Sequence, residues 1–354
     1  MDIRCSNIKV NDMTQASLES EDNILNRQYF MTVNPVSSSS VSSASFTETA
    51  GQCYDTFIQM LIQHRLQDVS KEIQKRLSLL PNMTLSDKFQ QVDRLKAWLD
   101  SFRPLPTTVV AELKKLYDVR FTYNSNAIEG NTLTQSETAL VLETGITIGG
   151  KTLREHLEVI GHKDAIDYIE QLAQNSTPIG EWEIKQIHNL ILRAISPEEA
   201  GCYRQLDVTV VGTEYVYPPY HLLNDLMVEF VTWLNSAETT IQHPIQFAAE
   251  AHLRFVSIYP FRDGNGRTGR LLMNLLLLRS GYPIAVISNQ VGKAYTDAVV
   301  EGQQNNISPL LELLLDAAQQ SLIEMLHILS TAQESRGRGF PFYEEMLAFL
   351  SERY

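Results

Sequence analysis

The chain has 354 residues, with 29 Lys and Arg against 42 Asp and Glu, a formal charge of −13 at pH 7. With 44% hydrophobic and 20% charged residues it has the composition of an ordinary globular protein, which excludes wholesale disorder, and its acidic balance argues against a general nucleic-acid binder, whose affinity rests on neutralising phosphates. Its 3 cysteines form no CxxC pair, which disfavours a disulfide scaffold or a zinc ribbon.

In chain order, residues 1–50 are polar and rich in Ser and Thr, and read as a disordered leader. Their start, MDIRCSNIKVNDMTQ, has no apolar stretch of the secretory kind. The longest apolar run, LLMNLLLL at 271–278, is far short of the ~20 residues of a membrane span. A cytoplasmic protein with neither a membrane nor a nucleic-acid partner is expected. An N-terminal helical region is expected over 51–104. There Phe57, Met60, Leu61, Leu66 and Val69 fall at helical spacings, and a second helical run covers 86–101. Pro104 and Pro106 mark its end.

The main domain is expected over 105–335, followed by a helical tail over 336–354. TQSE at 134–137 has the pattern of a capping box, and Gly145 ends that helix. Further helices are predicted near 151–174, 181–195, 222–236, 244–258, 265–280, 290–305 and 308–330. Ser308 and Pro309 would cap and start the last, and Gly281 with Pro283 stops the 265–280 helix. One stretch breaks the pattern. DVTVVGTEYVYPP, at 207–219, alternates Val and Thr around Gly212 and predicts a short hairpin. The predicted class is all-α with one small β flap.

The segment 257–278, SIYPFRDGNGRTGRLLMNLLLL, departs from generic packing. A helix runs into Pro260, and a loop with two glycines opens the next helix. Glycines at a helix start let backbone approach a ligand, and the free N–H groups there favour an anion. Arg267 and Arg270 are three apart and share a helix face. Asp263 is a hard oxygen ligand suited to Mg²⁺. Together these groups suit a nucleoside polyphosphate with its Mg²⁺.

This segment resembles the signature of the Fic (Fido) family, HPFx[DE]GNGRxxR. Pro260, Phe261, Asp263, Gly264, Asn265, Gly266, Arg267 and Arg270 match it, and Tyr259 stands where the family has its catalytic His. The resemblance covers roughly 107–330, including EGNTLT at 129–134, LEVIGH at 157–162 and NLLLLRSGYPI. It implies a Fic helical core and protein adenylyltransferase chemistry, the transfer of AMP from Mg·ATP to a Ser, Thr or Tyr hydroxyl of a target protein. On this resemblance Asp263 would hold Mg²⁺, while Asn265 and the amides near Gly264 and Gly266 would form an anion hole. Arg267 and Arg270 would grip phosphates, Phe261 would be a buried anchor, and Tyr295 would stack on adenine or serve as core. The segment 207–219 would be the flap where a target protein docks by strand addition. A homodimer fits family habit.

SNAIEG at 125–130 resembles the family's inhibitory motif, [ST]xxxE[GN]. Ser125 and Glu129 share a helix face, and the resemblance implies that Glu129 pairs with Arg270 and autoinhibits. Tyr259 weakens the enzyme reading. A general base works best with a pKa near ambient pH, and a free phenol at about 10 is ionised only about once in a thousand at pH 7. His252 lies about 10 Å away along the helix and is a poor substitute. The reading is thus a Fic adenylyltransferase, autoinhibited by Glu129 and impaired by Tyr259. The alternatives are a nucleotide-binding pseudoenzyme that acts as an interaction module, or an enzyme biased towards removing AMP.

Overall fold

A computed structural model describes residues 84–332 apart from 176, 211 and 212, together with 335, 338, 339, 342 and 345. The expected leader and the helix before residue 84 lie outside the described residues, as does most of the expected tail. The described helices are α1 (Leu85–Ser101), α2 (Thr107–Ile128), α3 (Gln135–Thr144), α4 (Leu153–Ala173), α5 (Glu181–Leu192), α6 (Leu223–Leu234), α7 (Pro244–Ile258), α8 (Asn265–Arg279), α9 (Gly292–Gln303) and α10 (Ser308–Thr331). A short helical turn at Ala237–Thr240 and two 3₁₀ turns fill connections. Among the described residues the protein is all-α, as expected from its sequence.

Local chemistry sets the helix starts. Thr84 with Asp87, Thr134 with Glu137 and Thr152 with Glu155 form reciprocal capping boxes, each satisfying two otherwise unpaired backbone donors. Gly145, at φ 70°, closes α3 in the left-handed region. One expected cap moves. Ser308 is already the first residue of α10, with Ile307 ahead of it at the N-cap.

Helix α8 runs through the middle. From Thr268 to Leu278 every residue is buried, and from Leu271 onwards all but one are apolar, as expected of a helix that runs through a core. It packs chiefly on α7 and α4, then on α5 and α2. The one polar residue within its apolar run from Leu271 to Leu278, Asn274, is fully paired: it accepts from the Ala285 N–H at 2.8 Å and donates to the carbonyls of Ala285 and Arg270. Helix α1 shares the same core, with Leu95, Leu99 and Phe102 at most 1% exposed. Phe342, from the expected tail, packs edge-on against Trp98 with ring centroids 5.5 Å apart. Among the described residues no helix is long and apolar enough to cross a membrane.

Among the described residues the expected hairpin is not seen. The described residues of 207–219 make no strand pairing, and the predicted turn at 211–212 lies outside the described residues. The limbs are tied at their base by one buried side chain instead. Arg204 donates to the carbonyls of Leu206 (2.9 Å) and Pro218 (2.6 Å). A guanidinium fork supplies the contacts that a ladder of backbone bonds would have made.

Candidate functional site

The chain between α7 and α8 turns on two left-handed residues. Tyr259 caps α7 at φ 52°, ψ 58°, and Gly264 caps α8 at φ 78°. Glycine adopts that conformation freely, and a Cβ at 264 would also meet Ile191 at 3.1 Å and His188 at 3.4 Å. Phe261 is fully buried, as expected, and stacks on His188 with centroids 3.6 Å apart and planes 3° from parallel. His188 Nδ1 accepts from the Gly201 N–H at 2.9 Å. Its Nε2 therefore carries the proton and donates to the Asp263 carbonyl at 2.9 Å. Burial lowers the His188 pKa to about 4, so the ring under the loop is neutral at pH 7.

Asn265 differs from expectation. Its side chain clasps the loop backbone, accepting from the Phe261 N–H (2.9 Å) and donating to the Phe261 carbonyl (2.8 Å). It shapes the loop, which leaves the backbone at the start of α8, with the side chains of Arg267 and Arg270, to meet an anion. The first residues of a helix have free N–H groups and the positive end of its dipole.

A carboxylate of the chain itself lies there. A Cβ built on Gly266 would come within 2.3 Å of Glu129 Oε1, so Glu129, at the C-terminal end of α2, presses against the loop. The same oxygen accepts from Arg270 at 2.7 Å. Arg270 is 1% exposed and also donates to Ser125, to Oγ at 3.0 Å and to the carbonyl at 2.8 Å. Burial works against its charge, but Tyr295 and Glu129 outweigh it and hold its pKa above the usual value.

Arg267 and Arg270 both lie buried but diverge. Arg267 reaches Asp263 Oδ1 at 3.3 Å and lies 3.6 Å from Glu158. Asp263 Oδ2 accepts from Arg154 at 2.9 Å. Tyr295 is 5% exposed, with its hydroxyl 2.8 Å from His252 Nε2 and 3.4 Å from Arg270. Its ring is core and offers no open face for adenine, so the stacking alternative is corrected. His252 is likewise buried.

Tyr259 is half-buried, with the Tyr217 ring 4.7 Å away. Burial first, then the nearby Glu129, Tyr217 and Asp263, push its hydroxyl up to about 12, while Asn265 pulls weakly the other way. Its carbonyl accepts from Arg204 Nε at 2.9 Å, so one buried arginine ties the base of 207–219 to the loop.

Sequence reasoning gave no site role to Arg154, Glu158, His188 or Arg204. Arg154 and Glu158 are four apart on one helix face, a pattern common on solvated helices, and His188 reads as one position of an amphipathic helix. Nothing local marks where these side chains point. A cavity of about 400 Å³ lies elsewhere, lined by Arg120, Tyr123 and Glu324 among others. Its Arg120 and Glu324 pair with each other, and none of the residues above lines it.

Residues 178–277 match the model of the Fic/DOC family. The chain carries a Fic/DOC family domain. It is 34% identical over 267 residues to the protein adenylyltransferase Fic of Culex quinquefasciatus, covering 75% of this chain and 52% of that protein. The chain spans about half the length of the curated relatives it matches first. Among solved structures, Fic-1 from C. elegans superposes with a TM-score of 0.64 at 26% identity, covering 79% of this chain and 88% of that one. A Fic domain containing signaling protein from Bacteroides thetaiotaomicron gives 0.60 at 29% identity, covering 68% and 94%.

Proposed function

We propose that the α8 loop of this Fic protein binds Mg·ATP, and that the chain is a protein adenylyltransferase restrained twice, by Glu129 and by Tyr259. The observation that carries the reading is the Glu129 carboxylate, seated between Arg270 at 2.7 Å and the backbone at Gly266. A loop that holds its own anion with a buried guanidinium has the chemistry to hold a phosphate. Glu129 then competes with the terminal phosphate for Arg270, and productive ATP binding needs it to leave.

Mg²⁺ fits the donor set. Among the described residues no cluster of three or more His, Cys, Asp or Glu could cage a cation, and Asp263 offers one partly exposed carboxylate. Mg²⁺ is usually held by one or two carboxylates together with substrate phosphates. Bound there it would neutralise phosphate charge. Arg267 would orient the phosphates beside it, and a target protein would dock along 204–219, where Leu206 and Val216 are exposed.

AMP transfer needs a group to take the target hydroxyl proton. With Tyr259 pushed up to about 12, about one phenol in 10⁵ is ionised at pH 7, fewer than in free tyrosine. This favours a second reading, a nucleotide-binding module without transfer. Incubation with α-labelled ATP and Mg²⁺ separates the two, with ATP binding followed by calorimetry. ATP should bind more productively in Glu129→Gly. Label on protein should rise about 10²–10⁴-fold when Tyr259→His is added. Strong labelling by Glu129→Gly alone would remove Tyr259 as a restraint. Absence of ATP binding in every variant would overturn the nucleotide reading.

A further inference from the structure

Asp263 spends its oxygens on three donors of unequal permanence. Oδ1 accepts from the Gly264 N–H at 2.6 Å and from Arg267 at 3.3 Å. Both are fixtures of the loop, and the Arg267 side chain is 3% exposed. Oδ2 accepts from Arg154 at 2.9 Å. That guanidinium comes from the first turn of α4, and its side chain is 57% exposed. The two contacts to Oδ1 are therefore built in, while the one to Oδ2 rests on a solvated side chain.

Arg154 also has somewhere to go. Its Nε donates to Glu158 Oε1 at 3.2 Å, one turn along the same helix. Glu158 is itself held, its Oε2 accepting from Asn131 at 2.9 Å. Arg154 can release Asp263 and keep a carboxylate partner. Glu158 would hold the released arginine near the loop instead of losing it to solvent.

We propose that Arg154 is a displaceable latch on Asp263: it occupies the carboxylate oxygen that a divalent cation needs, so the cation enters only as Arg154 withdraws to Glu158. The inference rests on the Mg·ATP reading of the loop and adds regulation to it. A guanidinium and Mg²⁺ cannot share the same lone pairs of Oδ2, so the two compete. The latch sets the cation concentration at which nucleotide binds, and Arg154 is a positioning residue that never touches the reacting atoms. Exposed ion pairs are weak, so the expected shift is about two- to five-fold, and added salt should shrink it.

The test is calorimetry of ATP binding to the full chain across a Mg²⁺ titration, for the native protein, Arg154→Gln, Arg154→Lys and Asp263→Asn. Arg154→Gln should lower the Mg²⁺ midpoint about two- to five-fold and leave ATP affinity without Mg²⁺ unchanged. Arg154→Lys should restore much of the native midpoint. In Asp263→Asn, adding Arg154→Gln should change nothing further. A midpoint that Arg154→Gln leaves in place or raises would overturn the latch. So would a fall in metal-free ATP affinity, which would make Arg154 a phosphate ligand. ATP bound by all variants with one common midpoint sinks the latch alone, whereas no ATP binding by any variant sinks the nucleotide reading with it.

Discussion

The loop over 260–270 and the segment over 204–219 both carry strong local signals, yet only the loop becomes a fixed shape through its own residues. In the loop every local preference has a buried partner. Gly264 turns left-handed where a Cβ would meet His188, Asn265 clasps the Phe261 backbone, and Phe261 stacks on His188. In 204–219 the alternating Val and Thr have the propensity of strands, but among the described residues there is no sheet for them to join. β propensity reflects fit to a paired, half-buried surface, and Val216 is 87% exposed. A pattern becomes structure when the fold supplies what it is to pack against.

Acid should expose this difference most strongly. Burial lowers the pKa of both His188 and His252 to about 4, against about 6.5 in an unfolded chain. Below 6.5 the unfolded state binds more protons than the native one. The stability these neutral rings contribute is thus complete above pH 6.5 and lost as pH falls towards 4. The loss is about 3 kcal/mol for each ring. Urea unfolding at pH 7, 5.5 and 4 would read it, and His188→Asn should flatten part of the slope. An unchanged profile in that variant would show that His188 titrates normally.

Arg204→Ala should cost less globally and act on the other region. It removes bonds to the carbonyls of Leu206, Pro218 and Tyr259, two of which belong to a segment open to water. About 1–3 kcal/mol is expected, measured by denaturant unfolding. Limited proteolysis within 207–219 should speed up before the rest of the chain is cut. Cleavage at the native rate would mean that something other than Arg204 holds the segment.

Much of the fold was legible because its signals are local. Capping residues, glycine stops and apolar periodicity placed α7 at the bounds observed and most other helices within a few residues. The site was only half legible. GNGR and the pairing of Glu129 with Arg270 were readable as motifs, but the motif did not tell which groups face a ligand. Asn265 was expected in the anion hole and turned inward, because the Phe261 backbone, with both its N–H and its carbonyl free, lies four residues away. Tyr295 was left open between adenine and core. The hydroxyl of a buried tyrosine needs a partner, and His252 supplies it.

What the sequence determined by itself was the all-α class, the loop that opens α8, the tyrosine at 259 ahead of that loop and the carboxylate at 129. Each follows from residues within one or two helical turns of one another, or from a motif of that length. Tertiary structure alone decided that Arg154 meets Asp263 from 109 positions away in the chain, and it brought together the pair the motifs implied, Arg270 and Glu129, 141 positions apart. It also raised the Tyr259 hydroxyl and neutralised His188. The physical reason is the same throughout: hydrogen-bond satisfaction, burial and charge pairing depend on what packs alongside, and that is set by helices brought together around α8.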